Sequence, residues 1–295
     1  MLNKIKEVLS PYKYFLLNAM GQRKYAVQVF DTAETLEAIR KQKYSLSRFG
    51  DGEFDLILGK GLKFQKFDAR LAEKLKNILS QPIDAHPCKV AIPHVYASLK
   101  GMTYNSRKFW SMYFVDNREK IYGLLDSKYH YYDAQVTRIY VNRRRKTEAY
   151  AYFQQWKSIW RDQDILLVEG KSSRFGAGND LFDEAKSVER ILCPARDAFD
   201  HYDEILNTIT EHGKNKLVLL VLGPTATALA YDLSCRGIWA IDSGNLDMEY
   251  EWSKIRAKKQ TAIAGKYTHE AENGTQVSEV SDARYEKQII AQIGT

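Results

Sequence analysis

The uninterrupted apolar run Leu217–Leu222, followed at once by Gly223 and Pro224, restricts the fold of this chain more than any other segment. A strand covered by helices on both faces has this pattern, whereas a strand with one face in water alternates apolar and polar residues. Similar short apolar runs recur along the chain, separated by segments with helical periodicity. This alternation predicts an α/β, Rossmann-like fold in which a mostly parallel sheet carries helices on both faces.

The apolar runs predict seven strands, and capping residues mark several helix starts between them. Asp31 with Glu34 has the spacing of a capping box. Asp68 and Asp197 are placed as N-caps, and Pro224 suits the first turn of a helix. The predicted strands are Tyr44–Arg48, Lys89–Ile92, Val136–Val141, Ile165–Glu169, Val188–Leu192, Leu217–Leu222 and Ile238–Ile241.

Three parts are predicted along the chain. Residues 1–30 form a Lys-bearing amphipathic helix, and residues 31–270 form the Rossmann-like domain. Residues 271–295 form a polar linker and a short helix, about residues 282–293, packed on the same domain. A length of 295 residues fits one large α/β domain. The first helix is expected to dock on that domain, with contact to a membrane surface or a partner as the alternative.

Composition excludes several classes of protein. Hydrophobic residues at 44% and charged residues at 27% are typical of a folded chain rather than a disordered one. The longest stretch without a charge, Leu217–Tyr231, is too short to span a bilayer, and we recognise no signal peptide, so the expected location is the cytoplasm. Three separated cysteines without a C-x-x-C pair argue against both a disulfide framework and a thiolate zinc site.

The charge balance is mildly basic, with 44 Lys and Arg against 37 Asp and Glu and a net charge of +7. The basic residues are scattered except in the run Arg143–Lys146, which is read as a solvated surface or, alternatively, a contact for phosphate or an anionic lipid surface. If this run contacts anionic lipid, the chain is expected to bind peripherally at the inner face of a membrane through its basic segments. Nucleic acid is not the expected partner but stays an alternative. It would require a basic face with stacking aromatic residues, and many of the 19 Tyr lie among apolar residues, where core packing is the simpler account.

Polar and charged side chains follow four of the predicted strands, at the edge where parallel sheets bind ligands. The first of these junctions begins at Arg48, and Gly50 and Gly52 permit a tight turn there. The carboxylates of Asp51 and Glu53 can face one divalent cation if the turn is not helical. The plain alternative is an acidic turn in solvent.

The second junction is the Gly- and Ser-rich loop Glu169–Asp180. Its Gly-Lys-Ser lacks the earlier glycine of a P-loop, so that motif is excluded. Lys171, Arg174 and the backbone N–H groups of the loop nevertheless suit phosphate groups.

The third junction places Gly223, Pro224 and Thr225 at a helix start, where free N–H groups attract an anion unless Thr225 simply caps its own helix. The fourth, Asp242–Trp252, contains a second D-x-E whose acidic residues also suit the first turn of a helix. Four such junctions at one sheet edge predict an active site. A metal and helix N-termini there would stabilise a departing diphosphate, and a carboxylate would accept the proton of an attacking hydroxyl.

Five segments resemble, in sequence and order, the GT-D fold glycosyltransferases, formerly domain of unknown function 1792. The resemblance covers about residues 30–293 and implies a Rossmann-like domain, a nucleotide-sugar donor that is typically a UDP-sugar, and Mn²⁺ or Mg²⁺ held through a D-x-E motif. It also implies a glycan acceptor, on a protein or lipid carrier, in bacterial surface polysaccharide synthesis or adhesin glycosylation. The segments are Ser47–Glu53, Gly178–Phe182, Ile191–Ala195, Leu222–Thr227 and Leu246–Trp252.

The resemblance also implies site residues, although two D-x-E motifs compete for the metal. Asp51 and Glu53 are placed first for metal and catalysis, and Asp247 and Glu249 second, with Glu251 or the unused D-x-E as the catalytic base. Asn245 departs from a histidine that is frequent in the family. A non-catalytic nucleotide-sugar or glycan-binding subunit is the alternative function. The donor- and phosphate-binding residues are expected to be Arg48, Gly50, Gly52, Lys171, Arg174, Asn179, Asp180, Gly223, Pro224, Thr225 and Asn245.

Overall fold

The computed structural model describes residues 11–21, 25–80, 82, 84–277 and 282–294. Within these residues nine strands form one sheet. The strands are β1 (Gln28–Val29), β2 (Ser45–Arg48), β3 (Cys88–Ile92), β4 (His130–Asp133), β5 (Asp164–Gly170), β6 (Ser187–Cys193), β7 (Leu217–Val221), β8 (Ala240–Asp242) and β9 (Ile289–Gln292). The α-helices are α1 (residues 11–21), α2 (Thr32–Gln42), α3 (Asp51–Ile57), α4 (Ala69–Ser80), α5 (Tyr104–Tyr122), α6 (Glu148–Trp160), α7 (Tyr202–His212), α8 (Pro224–Cys235), α9 (Leu246–Lys254) and α10 (Ala283–Lys287).

The strand order is β1-β4-β3-β2-β8-β7-β5-β6-β9, and each pair of neighbours among the described strands is parallel. From β5 the chain moves to β6 on one side, whereas β7 leads to β8 on the other. Because β5 and β7 are adjacent, the chain leaves this point of the sheet in opposite directions. Such a topological switch point opens a crevice at the carboxyl ends of the strands.

The core is divided between the two faces of the sheet. Val218 and Leu220 of β7 lie in a cluster with α4, α5, α7 and α8, while Leu217 and Leu219 lie in a second cluster with Trp156 of α6. Burying each of these aliphatic side chains contributes about 1.5–3 kcal/mol. Since both faces are covered, the apolar run has no polar alternation, and the predicted Rossmann-like architecture is confirmed.

The predicted strand Val136–Val141 is wrong. Residues 134–137 form a 3-10 helix, and the strand at this place is the preceding segment His130–Asp133. Val136 and Ile139 are fully buried, but they pack against α6 rather than inside the sheet. An apolar run therefore indicated burial correctly, while the hydrogen-bond partners of the backbone depended on contacts that are distant in sequence.

The predicted helix over residues 282–293 is correct only at its start. Asp282 accepts hydrogen bonds from the N–H groups of Arg284 and Tyr285 and begins α10, which ends at Lys287. The following Ile289–Gln292 is a strand that pairs in parallel with β6. Extended backbone suits the two β-branched residues of this segment, and the open edge of β6 supplies the partner.

The predicted N-terminal helix is described only in part, because residues 1–10 and 22–24 lie outside the described ranges. Residues 11–21 are helical and contact α5, where the Phe15 and Tyr104 rings are 5.9 Å apart. Gln28–Val29 is a strand rather than a continuation of that helix. In the part of the chain described, we find no helix with both the length and the apolar character needed to cross a membrane.

Three of the four predicted helix starts are confirmed. Asp31 and Glu34 make both hydrogen bonds of the capping box at 2.8 Å. Asp68 accepts from the backbone of the first turn of α4, and Pro224 is in the first turn of α8. Asp197 is different, since its φ is 53° and its carboxylate accepts from the backbone N–H of Lys66, a residue of another loop.

Candidate active site

A cleft of about 650 Å³ lies at the carboxyl edge of the sheet. All four junctions that the sequence singled out contribute to it. The cleft is therefore a single site at the place expected for an open parallel sheet. Its lining includes Gly50–Glu53 after β2, Pro93 after β3, Gln135 and Arg138 after β4, Gly170 and Ser173 after β5, Pro194–Ala198 after β6, Leu222 and Gly223 after β7, and Gly244 and Asn245 after β8.

The first D-x-E opens α3, so its two carboxylates are separated by about 200° around the helix axis. The Glu53 carboxylate accepts a hydrogen bond of 2.6 Å from the Gly50 N–H, which is the N3-to-N-cap hydrogen bond of a helix start. Burial, with the nearby charge of Asp242, raises the pKa of Glu53 to about 7. The condition for a paired metal site, a turn that is not helical, is not met.

Asp51 is the open carboxylate of this pair. Its side chain is exposed to the cleft that it lines. The walls of the cleft reduce the hydration of this carboxylate although its surface is open, which raises the pKa of Asp51 above its usual value, and the positive charge of Arg138 opposes this effect. A carboxylate in this position is available to a cation or to a hydroxyl group of a ligand.

Arg48 lines the cleft, and its guanidinium is bonded to groups at or just after the ends of two other strands. Its Nη2 lies 2.9 Å from Oδ1 of Asp242, and its Nε donates to the Asp242 carbonyl at 2.7 Å. Its Nη1 donates to the Ala134 carbonyl and to the Thr137 hydroxyl. These bonds use four of its five N–H donors. Gly244, at φ 46°, is required here because a Cβ would overlap the Arg48 guanidinium.

An ion pair that the sequence did not reveal crosses the cleft. The guanidinium of Arg138 binds the Glu270 carboxylate in bidentate fashion, at 2.5 and 2.6 Å. Asn245, one of the predicted donor-binding residues, also donates to Glu270. Burial opposes ionisation of Glu270, but Arg138 overcomes it and holds the pKa of that carboxyl below its usual value. Sequence spacing gave no signal, since these partners are 132 residues apart.

The carboxylates of Asp247 and Glu251, in the second D-x-E region, are paired with other side chains and do not line the cleft, so we call this segment closed. Asn179 donates to Asp247 and to Glu251, each at 2.7 Å, and Lys266 contacts the same two carboxylates at 2.6 and 3.0 Å. Asp247 and Lys266 are 2% and 5% exposed. Burial raises the pKa of Asp247, and Lys266 opposes this effect. These four residues, which we term the Lys266 clasp, do not line the cleft.

Glu249 lies on another side of α9 from Asp247. Its Oε2 accepts from the backbone N–H groups of Tyr140 and Val141, at 2.6 and 2.9 Å. Its Oε1 is buried and has no partner among the described residues. Burial raises the pKa of Glu249 to about 7, although Arg138 and the two backbone N–H groups oppose this effect. Asp247 and Glu249 therefore do not form a paired cation site.

The predicted phosphate-binding side chains of the second junction lie away from the cleft, which receives only Gly170 and Ser173 from this loop. Lys171 is exposed, and the Arg174 guanidinium lies 4.7 Å from the centroid of the Tyr285 ring. Asp180 accepts hydrogen bonds from three side chains, which hold its pKa far below its usual value. These donors are Lys157, Tyr250 and Lys254.

At the third junction Gly223 lines the cleft, whereas Pro224 and Thr225 are buried beneath it. Gly223 has a φ of 55°, and a Cβ there would lie 2.6 Å from the ring of Phe64. The glycine thus permits Phe64 to lie against the start of α8. Gly223, which the sequence singled out for phosphate binding, therefore lies at the cleft and also allows this close approach of a side chain to the backbone.

Phe64 is held in place by the residue that was expected to cap a helix. The Asp197 N–H donates to the Phe64 carbonyl at 2.9 Å, and the Asp197 carboxylate accepts from Lys66 at 2.6 Å. The Phe64 ring lies 4.6 Å from the His269 ring, between centroids. Burial lowers the pKa of His269. Sequence reasoning missed this aromatic pair, because neither residue follows a strand.

The donor set of the cleft fits a cation that arrives with phosphate. Across the described ranges, no group of three or more His, Cys, Asp or Glu side chains is placed to hold a metal ion. Glu53 and Glu270 are engaged in the bonds given above, which leaves Asp51 open. Mg²⁺ is commonly bound by one or two carboxylates together with substrate phosphates and water. Asp51 is the cleft residue that could supply the protein's carboxylate to such a site.

Comparison with known proteins agrees with this architecture. The family model of the glycosyltransferase GT-D fold matches residues 46–271. The chain is 33% identical over 267 residues to a probable glycosyl transferase Gly of Streptococcus gordonii and 36% identical over 267 residues to the glycosyltransferase GlyD of Streptococcus pneumoniae serotype 4 (strain ATCC BAA-334 / TIGR4). Each match covers 90% of this chain but only 39% and 33% of those proteins. The chain thus spans between a third and two fifths of the curated relatives it matches.

A solved structure gives the same result at the level of the fold. It is described as the highly conserved domain of unknown function 1792 with a distinct glycosyltransferase fold. It superposes with a TM-score of 0.87 at 34% identity, covering 96% of this chain and 100% of that one. The match in sequence and in fold leads to one assignment: the chain belongs to the GT-D fold family of glycosyltransferases.

Proposed function

We propose that this chain transfers a sugar from a nucleoside diphosphate sugar, most simply a UDP-sugar, to a hydroxyl group of a glycan, with a divalent cation. The observation that carries the proposal is the open carboxylate of Asp51 beside Arg138, in a cleft at the switch point of a parallel sheet. The family membership of the chain and the names of its relatives support the reaction class.

The end of the cleft at β5, β6 and β7 is the proposed place for the nucleoside. Gly170 packs against the segment that follows β6, where a Cβ would lie 3.1 Å from the Ala195 backbone. Gly223 is similarly close to Phe64. Both glycines line this end of the cleft with backbone rather than side chain, and we term this end the nucleoside slot. The rings of Phe64 and His269 line the same end, and a neutral imidazole is favoured because the pKa of His269 is lowered. A partly apolar pocket of this kind suits a nucleobase.

The centre of the cleft is the proposed place for the diphosphate. Arg138 supplies the positive charge, and the exposed residues Lys63 and Arg196 add to it at the cleft edge. Asp51 would hold the cation together with the phosphate oxygens. When bound, the cation would neutralise the charge that develops on the departing diphosphate. Arg138 must exchange part of its contact with Glu270 for the phosphate, which ties donor binding to the segment that carries Glu270.

Glu53 is the proposed acceptor of the proton that leaves the attacking hydroxyl group. Among the carboxylates of the cleft, its pKa of about 7 is near the working pH, as general base catalysis requires. Glu270 is a weaker candidate, because Arg138 holds its pKa below the usual value. Asp247 and Glu251, which the sequence suggested, are tied to Lys266 outside the cleft.

The test is a donor screen with cation and side-chain controls. UDP-, GDP-, CMP- and dTDP-sugars are incubated with and without Mn²⁺, and release of the free nucleotide is measured with glycan acceptors. We expect cation-dependent release from a UDP-sugar, and loss of transfer in Glu53→Gln with UDP binding retained. Binding of UDP without turnover in every acceptor mixture would favour the alternative, a non-catalytic nucleotide-sugar or glycan-binding subunit.

We also propose a biological setting for the reaction. Synthesis of a bacterial surface polysaccharide or glycosylation of an adhesin, with the acceptor on a protein or lipid carrier, is consistent with streptococcal relatives named as glycosyltransferases. We propose a cytoplasmic location, with peripheral contact at the inner face of the membrane through basic segments such as Arg143–Lys146. Fractionation of cells that express the chain, with salt extraction of the membrane fraction, tests this location.

A further inference from the structure

The end of the cleft farthest from the proposed nucleoside slot has its own chemistry. It is formed by the first half of α5 and by the segment that follows β4. Two aromatic rings and three side-chain amides line it. These residues are Asn105, Phe109, Trp110, Gln135 and Asn142.

Gln135 carries the strongest sign that this end of the cleft binds a ligand. The residue is 4% exposed, lines the cleft, and has a side-chain oxygen without a hydrogen-bond partner among the described residues. A buried acceptor left unpaired is unfavourable for folding. A ligand with a hydroxyl group would satisfy it.

The rings beside Gln135 complete a surface with two kinds of contact. Phe109 and Trp110 are perpendicular, with centroids 5.3 Å apart, and Phe109 is 46% exposed. A sugar ring has apolar C–H faces and a rim of hydroxyl groups. Aromatic faces combined with a few amide groups match the surface of a sugar ring better than that of a phosphate. The nucleobase already has a proposed place in the nucleoside slot.

This end is also well separated from the nucleoside slot. Five strand intervals lie between β4 and β5 in the sheet order, which corresponds to roughly 24 Å at about 4.8 Å for each interval. Asp51 and Glu53 follow β2, which lies between β4 and β5 in the sheet order, and Arg138 belongs to the same segment as Gln135. A donor that fills the slot and the centre therefore leaves the α5 end for a second molecule.

We propose that Phe109, Trp110 and Gln135 form the subsite for the acceptor, and that its ligand is the sugar ring whose hydroxyl group is glycosylated. This inference rests on the proposed function. It adds the acceptor class, a glycan presented ring by ring, and it assigns the Gln135 oxygen to a hydroxyl group of that ring.

Four variants test the subsite. Gln135→Met removes the unpaired oxygen at similar volume, and its matched control is Gln155→Met, which removes another buried unpaired amide oxygen outside the cleft. Phe109→Ala removes the exposed ring, and Met112→Ala is its control on the same helix. Thermal unfolding of each variant establishes that it is folded.

The readouts separate acceptor, donor sugar and nucleotide. Ligand-observed NMR titrations use the methyl glycosides of glucose, galactose and N-acetylglucosamine, with UDP and Mg²⁺ present and again without them. Calorimetry gives the dissociation constants of UDP and of UDP-glucose. We expect the dissociation constant of at least one glycoside to rise about fivefold or more in both cleft variants. UDP binding, and glycoside binding by both controls, should change by less than about twofold.

Three results overturn the proposal. One is the absence of binding of all three glycosides to the wild-type chain, and another is equal weakening by the controls. The third is weaker binding of UDP-glucose, relative to UDP, with glycoside binding unchanged, since the subsite would then hold the donor sugar. Failure of the wild-type chain to bind UDP contradicts the proposed function instead, and the titrations without UDP still decide whether the α5 end binds sugars.

Discussion

The two D-x-E segments have the same spacing and both begin a helix after a strand, yet the structure uses them in opposite ways. After β2, Asp51 is exposed to the cleft and Glu53 caps its helix. After β8, Asp247 is enclosed with Lys266, and Glu249 is fully buried. Two carboxylates two residues apart on a helix point in different directions. The surroundings of each carboxylate, rather than the spacing, therefore decide its role.

The Lys266 clasp is continuous in sequence with two residues of the cleft. Lys266 is followed by Tyr267, whose N–H donates to the Ser172 carbonyl at 3.0 Å, and then by His269 and Glu270 of the cleft. The Lys266 clasp thus holds the stretch that carries these two cleft residues. We therefore expect substitutions in the closed segment, which contains Asp247, to change stability. Substitutions in the open segment, which contains Asp51, should change turnover.

Removing the cation of the clasp should have the largest effect. Lys266→Met leaves the buried Asp247 and the partly buried Glu251 without their charge partner, and breaking a buried pair such as Lys266–Asp247 costs about 3–5 kcal/mol. Urea unfolding measures the loss. Lys60→Met is the control, because its ion pair with Asp55 is largely exposed and should contribute about 0–1 kcal/mol. A loss in Lys266→Met as small as in the control would show that the clasp is not closed in solution.

Asp51→Asn should affect turnover rather than stability. Loss of the open charge beside the reacting diphosphate is expected to lower sugar transfer by about 100-fold or more. The exposed side chain makes little contribution to packing, so unfolding should change by less than about 1 kcal/mol. Initial rates with a UDP-sugar and urea unfolding check the two parts, with the exposed residue Asp203 changed to Asn as a control. A normal rate in Asp51→Asn would remove the open segment from the reaction.

Glu249→Gln should change how stability depends on pH. Because the pKa is raised from 4.5 to about 7 in the folded chain, the folded state retains a proton that the unfolded state has lost between these values. The stabilisation is complete below pH 4.5 and is lost as the pH rises through about 7. Glutamine cannot ionise, so the variant should gain about 2 kcal/mol relative to the wild type between pH 5 and pH 8. Urea unfolding at both pH values is the measurement, and an unchanged difference would mean that Glu249 is ionised at an ordinary pKa.

Glu251→Gln should have the smallest effect. Its amide oxygen can still accept from Asn179, and Lys266 keeps its contact with Asp247, so unfolding should change by about 1 kcal/mol. Turnover should fall by less than about threefold, in contrast to Glu53→Gln, because Glu251 does not line the cleft. A loss of transfer comparable to that of Glu53→Gln would restore Glu251 as the base and break the distinction between the two segments.

Hydrophobic pattern predicted the fold wherever a strand is covered on both faces. Leu217–Val221 is such a strand, and its apolar run leaves little ambiguity. The same pattern wrongly predicted a strand at Val136–Val141, which is buried outside the sheet. It did not predict the strand His130–Asp133, because the two tyrosines of this segment lie between a polar and a charged residue. Edge strands such as β9 are also hard to recognise, because their partner is set by the rest of the sheet.

The sequence predicted the position of the site better than the role of each residue in it. Strand ends and glycines located Asp51 and Gly223 correctly at the cleft. Arg138, Phe64 and Gln135 were missed, since their positions depend on loops whose paths are decided by tertiary contacts. A pattern of residue types cannot distinguish a charge that faces a cleft from one, such as Asp247, that is already paired.

The position of β9 has a consequence for the growing chain on the ribosome. β6 ends at Cys193, but the strand that covers its edge begins only at Ile289. At about 5–20 residues per second, the edge of β6 stays open for roughly 5 to 20 seconds of synthesis. During that time its backbone groups are available to any other extended segment, including a second nascent copy. Slow translation of this stretch should therefore lower the yield of monomeric protein, even though the finished sheet has no such opening beside β6.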